Sequence, residues 1–308
     1  MSEQQATAEQ TAIKQDSHRS LWRDVWSQFY THKGAMMGAA ILLFIVVAVL
    51  IGPYFHTIDP TYLDIRSRNA LPSITHPFGT DNLGRDMLAQ VFAGGRVSLA
   101  VGVAAMLISL TCGTLVGVTA GFFRRLDGPL MRLTDLFLAL PILPLLLVII
   151  MLFRDVLRAA FGPETGIFLL IVFVIGITSW MQTARIVRGE VLAVKEREFV
   201  LAAHSIGTRR HRVISRHIFP NVLSPIMVSA TLGVAAAIIT ESALSFLGLG
   251  FPSDFPTWGR LLYDGVPFLN INPSRVIWPG LAISLTVLSI NFMGDGLRDA
   301  LDPRIRGR

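Results

Sequence analysis

The sequence has few charged residues and almost no cysteine, and each shortage excludes a class of protein. Charged residues make up only 16% of the 308 positions, whereas soluble domains average about 25%. The single cysteine, Cys112, excludes an intramolecular disulfide framework, and its apolar neighbours indicate a small buried side chain. The seven histidines are scattered along the chain, so the ligand spacing of a zinc site is absent.

Lysine is also scarce, and this shortage bears on nucleotide binding. The three lysines are Lys14, Lys33 and Lys195, and none lies in the GxxxxGK[ST] pattern of a phosphate-binding loop. We therefore expect no ATP bound by this route, and no catalytic, cofactor-binding or metal-binding residue in this chain. The formal charge of +6 does not indicate a nucleic-acid partner, because so apolar a chain has little soluble surface to carry it.

Long apolar runs take the place of the missing charge. Hydrophobic residues make up 52% of the chain, and the mean hydropathy is +0.56. A membrane-spanning helix needs roughly 20 apolar residues, and its backbone groups must be paired within the segment. The sequence therefore predicts an all-α, polytopic membrane protein with six transmembrane helices, at residues 35–54, 97–122, 133–153, 166–184, 222–244 and 276–293.

These spans divide the chain into five parts. A cytoplasmic N-terminal segment (1–33) precedes the first transmembrane helix (34–55), which is longer than a typical signal-peptide core and is interpreted as an uncleaved anchor. An external segment with an amphipathic helix (56–96) leads to a five-helix core (97–300), which is followed by a cytoplasmic tail (301–308). In the second span, the pattern GTLVG at 113–117 predicts a close helix contact through small residues or the lining of a path.

Lysine and arginine predict the orientation of these helices. With both termini inside, 19 of the 27 basic residues lie in cytoplasmic segments and 8 lie outside. Because cytoplasmic loops of membrane proteins carry an excess of Lys and Arg, we expect both termini in the cytoplasm. The same count places residues 196–221, between spans four and five, on the cytoplasmic side.

Residues 196–221 form a compact basic segment with a helical pattern. Phe199, Ala202 or Ala203, and Ile206 fall at helical spacing, which predicts a short amphipathic helix. Gly207 ends this helix and Thr208 caps a second one, whose one face carries Arg209, Arg212 and Arg216. Pro220 suits the first turn of the next span. Two interpretations remain open: an interfacial loop on anionic lipid headgroups, or a docking element for a cytoplasmic partner.

Glu241 is the only acidic residue deep in a predicted span, near the outer end of span five. It either caps a short following helix or faces an aqueous cavity, as a pathway or gate residue. The outer stretch that follows contains Trp258, Gly259 and Asp264. That stretch is either a folded cap with Trp258 as an interfacial anchor or a docking site for an external protein.

The basic segment resembles the coupling motif of permease subunits in bacterial ATP-binding cassette importers. That motif runs Glu-Ala-Ala, three residues, Gly, nine residues, Ile, any residue, Leu, Pro. Ala202, Ala203, Gly207 and Pro220 match it in LAAHSIGTRRHRVISRHIFPN. Leu201, His217 and Phe219 depart from it. We call residues 196–221 the coupling segment.

Three further stretches are similar to the C-type permeases of the branch that imports dipeptides, oligopeptides and nickel. They are HPFGTDNLGRDMLAQVFAGGRVSLAVG before the second span, ALSFLGLGFPSDFPTWGRLL after the fifth, and NFMGDGLRDALDPR near the C-terminus. The similarity covers nearly all of the chain after about residue 20. It is specific for the family but much less so for the substrate. Permeases with these motifs also carry nickel chelates, opines and sugars.

The resemblance implies the type I importer permease fold and a set of partners. A homologous second permease would complete the translocation path in the bacterial inner membrane. Two ATPase subunits would carry ATP and Mg²⁺, and an external or periplasmic binding protein would deliver the substrate. The contact with the ATPase would involve Glu198, Phe199, Ala202, Ala203, Ile206, Gly207, Thr208 and Pro220.

Two competing hypotheses belong to other classes. An ion-coupled carrier would act alone, but such proteins place several ionisable groups in mid-membrane, and this sequence has few. A membrane-anchored structural or signalling subunit would use its basic segment on lipid or nucleic acid. Six spans, with similarity along most of the chain, argue against that hypothesis.

Overall fold

The structure is a computed structural model that describes residues 21–252 and 254–301. The predicted segments 1–33 and 301–308 therefore lie largely outside the described residues. Short 3₁₀ helices occupy Ile65–Ser67 and Val266–Phe268, and within the described residues the only β-pairing is one bridge between Thr80 and Asp86. The α-helices are α1 (Leu21–Thr31), α2 (Lys33–Phe55), α3 (Met87–Phe122), α4 (Arg124–Ala139), α5 (Ile142–Phe161), α6 (Pro163–Ile177), α7 (Trp180–Lys195), α8 (Glu198–Ser205), α9 (Arg210–Val213), α10 (Phe219–Phe246), α11 (Trp258–Gly265) and α12 (Ser274–Leu301).

Five helical stretches are long and apolar enough to cross a membrane, and a sixth crossing is present if one bent pair counts as a single span. The predicted all-α polytopic fold is confirmed. The observed stretches run past the predicted ends, because helical hydrogen bonding continues beyond the last apolar residue of a run. They are Lys33–Phe55, Met87–Phe122, Pro163–Lys195, Arg210–Phe246 and Ser274–Leu301, with the bent pair Arg124–Ala139 and Ile142–Phe161.

The prediction of one continuous third helix over 133–153 is wrong. Helix α4 ends at Ala139, α5 begins at Ile142, and their axes differ by 86°. Leu140 has an extended backbone, with ψ of 137°, and Pro141 takes the N-cap position of α5. A residue before proline is driven out of the helical region, so the break lies where the sequence reads Leu-Pro.

The α-helix that the structure places within 56–96 is the first part of α3. Helix α3 starts at Met87 and continues without interruption into the second span, so this crossing is 36 residues long. Asp86 is its N-cap, and the Asp86 carboxylate accepts a hydrogen bond from the Ala89 backbone N–H at 2.7 Å. No proline follows until the helix ends, and therefore nothing in the sequence forces a break.

Helix α3 packs against α7 along a stripe of small residues, as GTLVG predicts. A Cβ atom built on Gly117 would lie 2.7 Å from the Ala184 carbonyl oxygen and 2.7 Å from Val187 Cβ. Gly113 and Gly121 make equally close approaches to Thr183 and Val191, one turn to either side. Real Cβ atoms do not approach so closely, so the glycines set the distance between the two helices.

The bundle has two distinct ends. We call residues 56–86 with 247–273 the cap end, where the Trp258 indole N–H donates to the Val91 carbonyl oxygen at 3.0 Å. The opposite end carries the coupling segment, where the Lys195 ammonium donates to the Gly121 carbonyl oxygen at 3.1 Å. Helix α3 connects both ends, since Val91 lies in its second turn and Gly121 in its last.

Candidate functional site

The coupling segment begins with a short helix closed by a glycine turn. Helix α8 spans Glu198–Ser205, and Gly207 has a φ of +77°. The Thr208 N–H donates to the Ala203 carbonyl oxygen at 3.1 Å, and the Gly207 N–H donates to the His204 carbonyl oxygen at 3.0 Å. This pattern is a Schellman-type helix end, in which a left-handed glycine satisfies the last carbonyl groups. The predicted role of Gly207 as helix terminator matches the structure.

One face of α8 is anchored and the other is exposed. Val200 and Ala203 are buried, and Val200 packs in a cluster with side chains of α7, α9 and α10. Phe199 and Ile206 are 45% and 82% exposed, and Ala202 is exposed between them. The helix therefore presents a largely exposed apolar stripe, in which the centre of the Phe199 ring lies 6.4 Å from the centre of the His217 ring. An exposed apolar stripe is typical of a docking helix.

The second half of the coupling segment is continuous with the fifth crossing. Helix α9 leads through a π-helical turn, Ile214–Ile218, into α10. Pro220 lies in the first turn of α10, where its missing N–H leaves an acceptor to be satisfied otherwise. The Asn221 side-chain amide donates to the His217 carbonyl oxygen at 2.7 Å in this region. One helical rod of 37 residues, Arg210–Phe246, thus includes the coupling segment's second half.

The prediction that Thr208 caps this second helix is wrong. Arg209 takes the N-cap position of α9, and no side chain accepts a hydrogen bond there. The backbone N–H of Thr208 belongs to the glycine turn before it, so the chain has not yet entered the next helix at Thr208. The three arginines Arg209, Arg212 and Arg216 are exposed, as predicted.

Charged contacts fix the helices that carry the coupling segment. The Arg188 guanidinium of α7 binds the Asp127 carboxylate of α4 through two hydrogen bonds of 2.5 and 2.7 Å. Arg185 binds Asp135 one turn along the same pair of helices, at 2.5 Å. The bidentate geometry of Arg188 holds α4 in one orientation against α7. These two ion pairs connect α7, which leads into the coupling segment, to α4.

At the cap end, the predicted docking residues Trp258 and Gly259 are buried. Trp258 has no exposed surface, and a Cβ atom on Gly259 would lie 2.5 Å from the Ser242 Cα atom. Both residues pack α11 onto α3 and α10, so Trp258 is not an anchor at the membrane interface. Asp264 is partly exposed and forms an ion pair with Arg260 at 3.0 Å. Among the three, Asp264 alone presents surface to a partner in this structure.

Glu241 is fully buried and sits among hydroxyl groups. Its carboxylate accepts hydrogen bonds from Ser245 at 2.7 Å and from Ser98 of α3 at 3.1 Å. The Ser98 hydroxyl in turn accepts the Trp258 backbone N–H at 3.3 Å, at the start of α11. The predicted helix-capping role is not observed, because Glu241 lies inside α10 and contacts hydroxyls instead of a helix N-terminus. The carboxylate joins α3, α10 and α11 through one polar cluster.

Arg275 is a buried charged residue that contacts the cap end, and sequence reasoning missed it. It is 1% exposed, and its guanidinium donates to the Asn82 side chain and to the Asp264 carbonyl oxygen, both at 2.9 Å. The guanidinium also lies 4.1 Å from the centre of the Phe268 ring, a favourable cation–π distance. In the sequence it is one of several outer arginines, and its partner Asn82 lies 193 positions away along the chain.

No metal site is evident in the part of the chain that the structure describes. There, no group of three or more His, Cys, Asp or Glu side chains is arranged to hold an ion. At the cap end, the Asp86 carboxylate contacts the His56 and His76 rings at 2.8 Å each. These contacts tie the end of α2 and the cap loop to the N-terminus of α3.

Comparison with known proteins identifies the family. The model of the binding-protein-dependent transport system inner membrane component matches residues 110–307. The chain belongs to this family. A second model, the N-terminal TM domain of oligopeptide transport permease C, matches residues 20–72. The family indicated by the coupling motif is confirmed, and the permease is a multi-pass inner-membrane protein.

Several curated permeases are similar to this chain along nearly its full length. The oligopeptide transport system permease protein OppC of Bacillus subtilis is 38% identical over 93% of this chain and 91% of its own. The dipeptide transport system permease protein DppC of the same organism is 40% identical over 98% and 92%. The glutathione transport system permease protein GsiD of Escherichia coli is 35% identical over 96% and 94%. The matched regions cover at least 91% of each of these three relatives.

Proposed function

We propose that this permease forms half of the translocation path of an ATP-driven importer of dipeptides and oligopeptides. The observation that carries the proposal is its similarity, over more than nine-tenths of both chains, to permeases named for oligopeptide and dipeptide transport. A homologous second permease supplies the other half of the path. ATP and Mg²⁺ bind in two partner ATPase subunits, and this chain contributes no catalytic residue.

The exposed stripe of α8 is the contact with an ATPase subunit. Phe199, Ala202 and Ile206 enter a groove on that partner, while Val200 and Ala203 keep the helix attached to the bundle. Glu198 is exposed in the first turn of α8 and supplies the acid that the motif usually carries at the position of Leu201. Gly207 and Thr208 form the turn that sets the angle of the helix, and Pro220 anchors its return into the membrane.

The orientation follows from the distribution of positive charge. The coupling end faces the cytoplasm together with both termini, and the cap end faces outward. Arg209, Arg212 and Arg216 are exposed at the coupling end, where anionic lipid headgroups attract arginine side chains. At the cap end, the binding protein docks near Asp264, and the buried Trp258 and Gly259 support that surface from below.

Glu241 supports the outer gate of the path in this proposal. Its carboxylate ties α10 to α3 and, through Ser98, to the first residue of α11. A carboxylate with hydroxyl donors from separate helices stabilises one arrangement of those helices over another. Opening of the path at the cap end would separate these donors.

The docking role of α8 can be tested with a substitution that disturbs no internal contact. Ile206 is 82% exposed, so Ile206→Asp should leave the folded permease intact while placing a charge in the ATPase groove. We expect co-purification of the ATPase subunits and peptide uptake in proteoliposomes to fall at least tenfold. Ile74→Asp is the matched control, because Ile74 is fully exposed at the opposite end; it should retain the ATPase subunits. Normal ATPase co-purification with Ile206→Asp would exclude α8 as the docking element.

A further inference from the structure

A cavity lies beside the mid-section of α3, where both interrupted crossings meet. Its volume is about 410 Å³, and its walls come from α3, α10, the break between α4 and α5 and the break between α6 and α7. Small-molecule sites in proteins range from about 300 to 1,000 Å³. The cavity is therefore large enough for a short stretch of peptide.

The polar side chains of this cavity carry no charge, and several lack a partner. Among the described residues, Ser109, Gln182, Thr183 and Ser229 line the cavity without any side-chain hydrogen bond. Ser109 and Thr183 are only 8% and 7% exposed. Hydroxyl and amide side chains can each donate and accept hydrogen bonds, so these groups can pair with the amide groups of a ligand.

Packing explains why the Thr183 hydroxyl remains available to the cavity. A Cβ atom on Gly113 would meet Thr183 Cβ at 2.7 Å and Thr183 Cγ2 at 3.0 Å. The methyl group of Thr183 thus faces α3, which leaves its hydroxyl on the cavity side. The other hydroxyls behave differently: Thr178, Ser179 and Thr240 each donate to a carbonyl oxygen of their own helix segment.

The N-terminus of α7 opens on the same cavity without a cap. Ser179 occupies the N-cap position, but it accepts no hydrogen bond from α7, since its hydroxyl donates to the Ile175 carbonyl oxygen at 2.7 Å. Ser179, Met181 and Gln182 line the cavity wall. The first N–H groups of a helix lack partners within it, and together with the helix dipole they favour an anion.

We propose that this cavity is a transit subsite for the peptide backbone, in which the uncapped N-terminus of α7 binds the C-terminal carboxylate while Ser109, Gln182, Thr183 and Ser229 bond to amide groups. The proposal rests on the importer function proposed above and deepens it. A neutral lining bonds to groups that every peptide shares, and the apolar walls formed by Met106, Leu140 and Leu232 accommodate varied side chains. Such a subsite admits many peptide sequences but distinguishes a free carboxylate from an amide.

The test uses a single reporter thiol in the assembled transporter. Cys112→Ser removes the one native cysteine, and Ser109→Cys then places a thiol in the cavity. The assembled complex, with its ATPase subunits and binding protein, is treated with a small charged methanethiosulfonate reagent. The modification rate is measured without peptide, with alanyl-alanine, and with the C-terminal amide of alanyl-alanine. Thr75→Cys in the same background is the control, because Thr75 is an exposed hydroxyl residue of the cap end, outside the membrane-crossing helices.

We expect alanyl-alanine to slow modification at position 109 at least threefold, its amide to slow it less, and neither to change the rate at position 75. An unchanged rate at position 109 in a transporter that imports peptide would overturn the subsite. Equal protection by acid and amide would overturn the carboxylate assignment. Absence of any peptide uptake by the unmodified transporter would instead reject the importer function. Ser229→Cys provides a second reporter from the opposite wall if Ser109→Cys does not assemble.

Discussion

The guanidinium of Arg96 on α3 donates a hydrogen bond to the Val49 carbonyl oxygen on α2, with an Nε to oxygen distance of 3.1 Å. Val49 lies four residues before Pro53, which is inside α2 and has no N–H to donate. Arg96 therefore satisfies an acceptor that the proline leaves open, and it adds a second bond to the Leu50 carbonyl oxygen at 3.0 Å. In a membrane, where water does not reach buried carbonyls, this repair fixes α2 against α3.

This relationship predicts that the effects of Arg96 and Pro53 are coupled. Arg96→Met should lower the free energy of unfolding by about 1–3 kcal/mol, because the Val49 carbonyl is then buried without a donor. Pro53→Ala restores a backbone N–H at the required position. In that background, Arg96→Met should therefore lower the free energy of unfolding by clearly less. Thermal unfolding of the four variants in detergent measures the difference. Equal costs in both backgrounds would show that Arg96 does not act through the open carbonyl.

The α3–α7 contact predicts a sharp difference between two glycines. Gly117→Ala places a methyl group 2.7 Å from Ala184 and Val187 atoms, and overpacking of this kind costs about 1–3 kcal/mol. Gly189 lies on α7 with no atom within 4 Å of an added Cβ, so Gly189→Ala should be neutral or stabilise by up to about 1 kcal/mol. The comparison is made by melting temperature in one detergent. A Gly117→Ala variant as stable as Gly189→Ala would contradict the close contact.

The hydroxyl cluster predicts that the Glu241 carboxylate holds the cap end together. Glu241→Leu leaves the Ser98 and Ser245 hydroxyls without their acceptor, at a cost of about 1–3 kcal/mol for each group. We expect faster proteolysis within 247–257 and a lower melting temperature. Glu241→Gln keeps an acceptor oxygen, so its melting temperature should lie between those of the unmodified permease and Glu241→Leu. Glu164→Leu is the control, since Glu164 is exposed in the first turn of α6. An equally large fall in melting temperature with Glu164→Leu would show that the effect is not specific to Glu241.

The glycine turn predicts that side-chain shape at position 207 controls coupling. Gly207 has a φ of +77°, and an added Cβ would meet no atom within 4 Å, so the strain lies in the backbone alone. Gly207→Val should distort the turn, because a β-branched residue disfavours positive φ. Gly207→Asn should preserve it, because asparagine tolerates this conformation. The ratio of peptide imported to ATP hydrolysed should fall for valine and hold for asparagine. Normal coupling with Gly207→Val would argue against this role.

The sequence predicted the helices from hydropathy and located the coupling segment from local spacing. The predicted apolar face of α8 included Phe199 and Ile206, and both are exposed in the structure. Such features depend on neighbours within a few residues, which sequence patterns report directly. Helix α3 begins where Asp86 caps it, and ten residues separate Asp86 from the predicted span at 97–122. Hydropathy contains no signal for a capping side chain.

The missed features all depend on contacts between distant parts of the chain. Glu241 finds Ser98 across 143 positions, and Arg275 finds Asn82 across 193. The apolar run around Glu241 distinguished it from other acids, but nothing in the local sequence indicated Ser98 as its partner or distinguished Arg275 from other arginines. The break at Pro141 is different, because Leu-Pro within an apolar run gives a local signal for a helix boundary.

The uninterrupted helix from Arg210 to Phe246 has 37 residues and is about 55 Å long at roughly 1.5 Å per residue. It carries the coupling segment's exposed arginines near one tip and Glu241 near the other. When such a rod turns about a point within the membrane, both tips move, so a swing at Arg210 strains the hydrogen bond between Ser98 and Glu241. The rod departs from a regular α-helix at the π-helical turn Ile214–Ile218 and again at Pro225 inside α10, so both lie between the exposed arginines and Glu241.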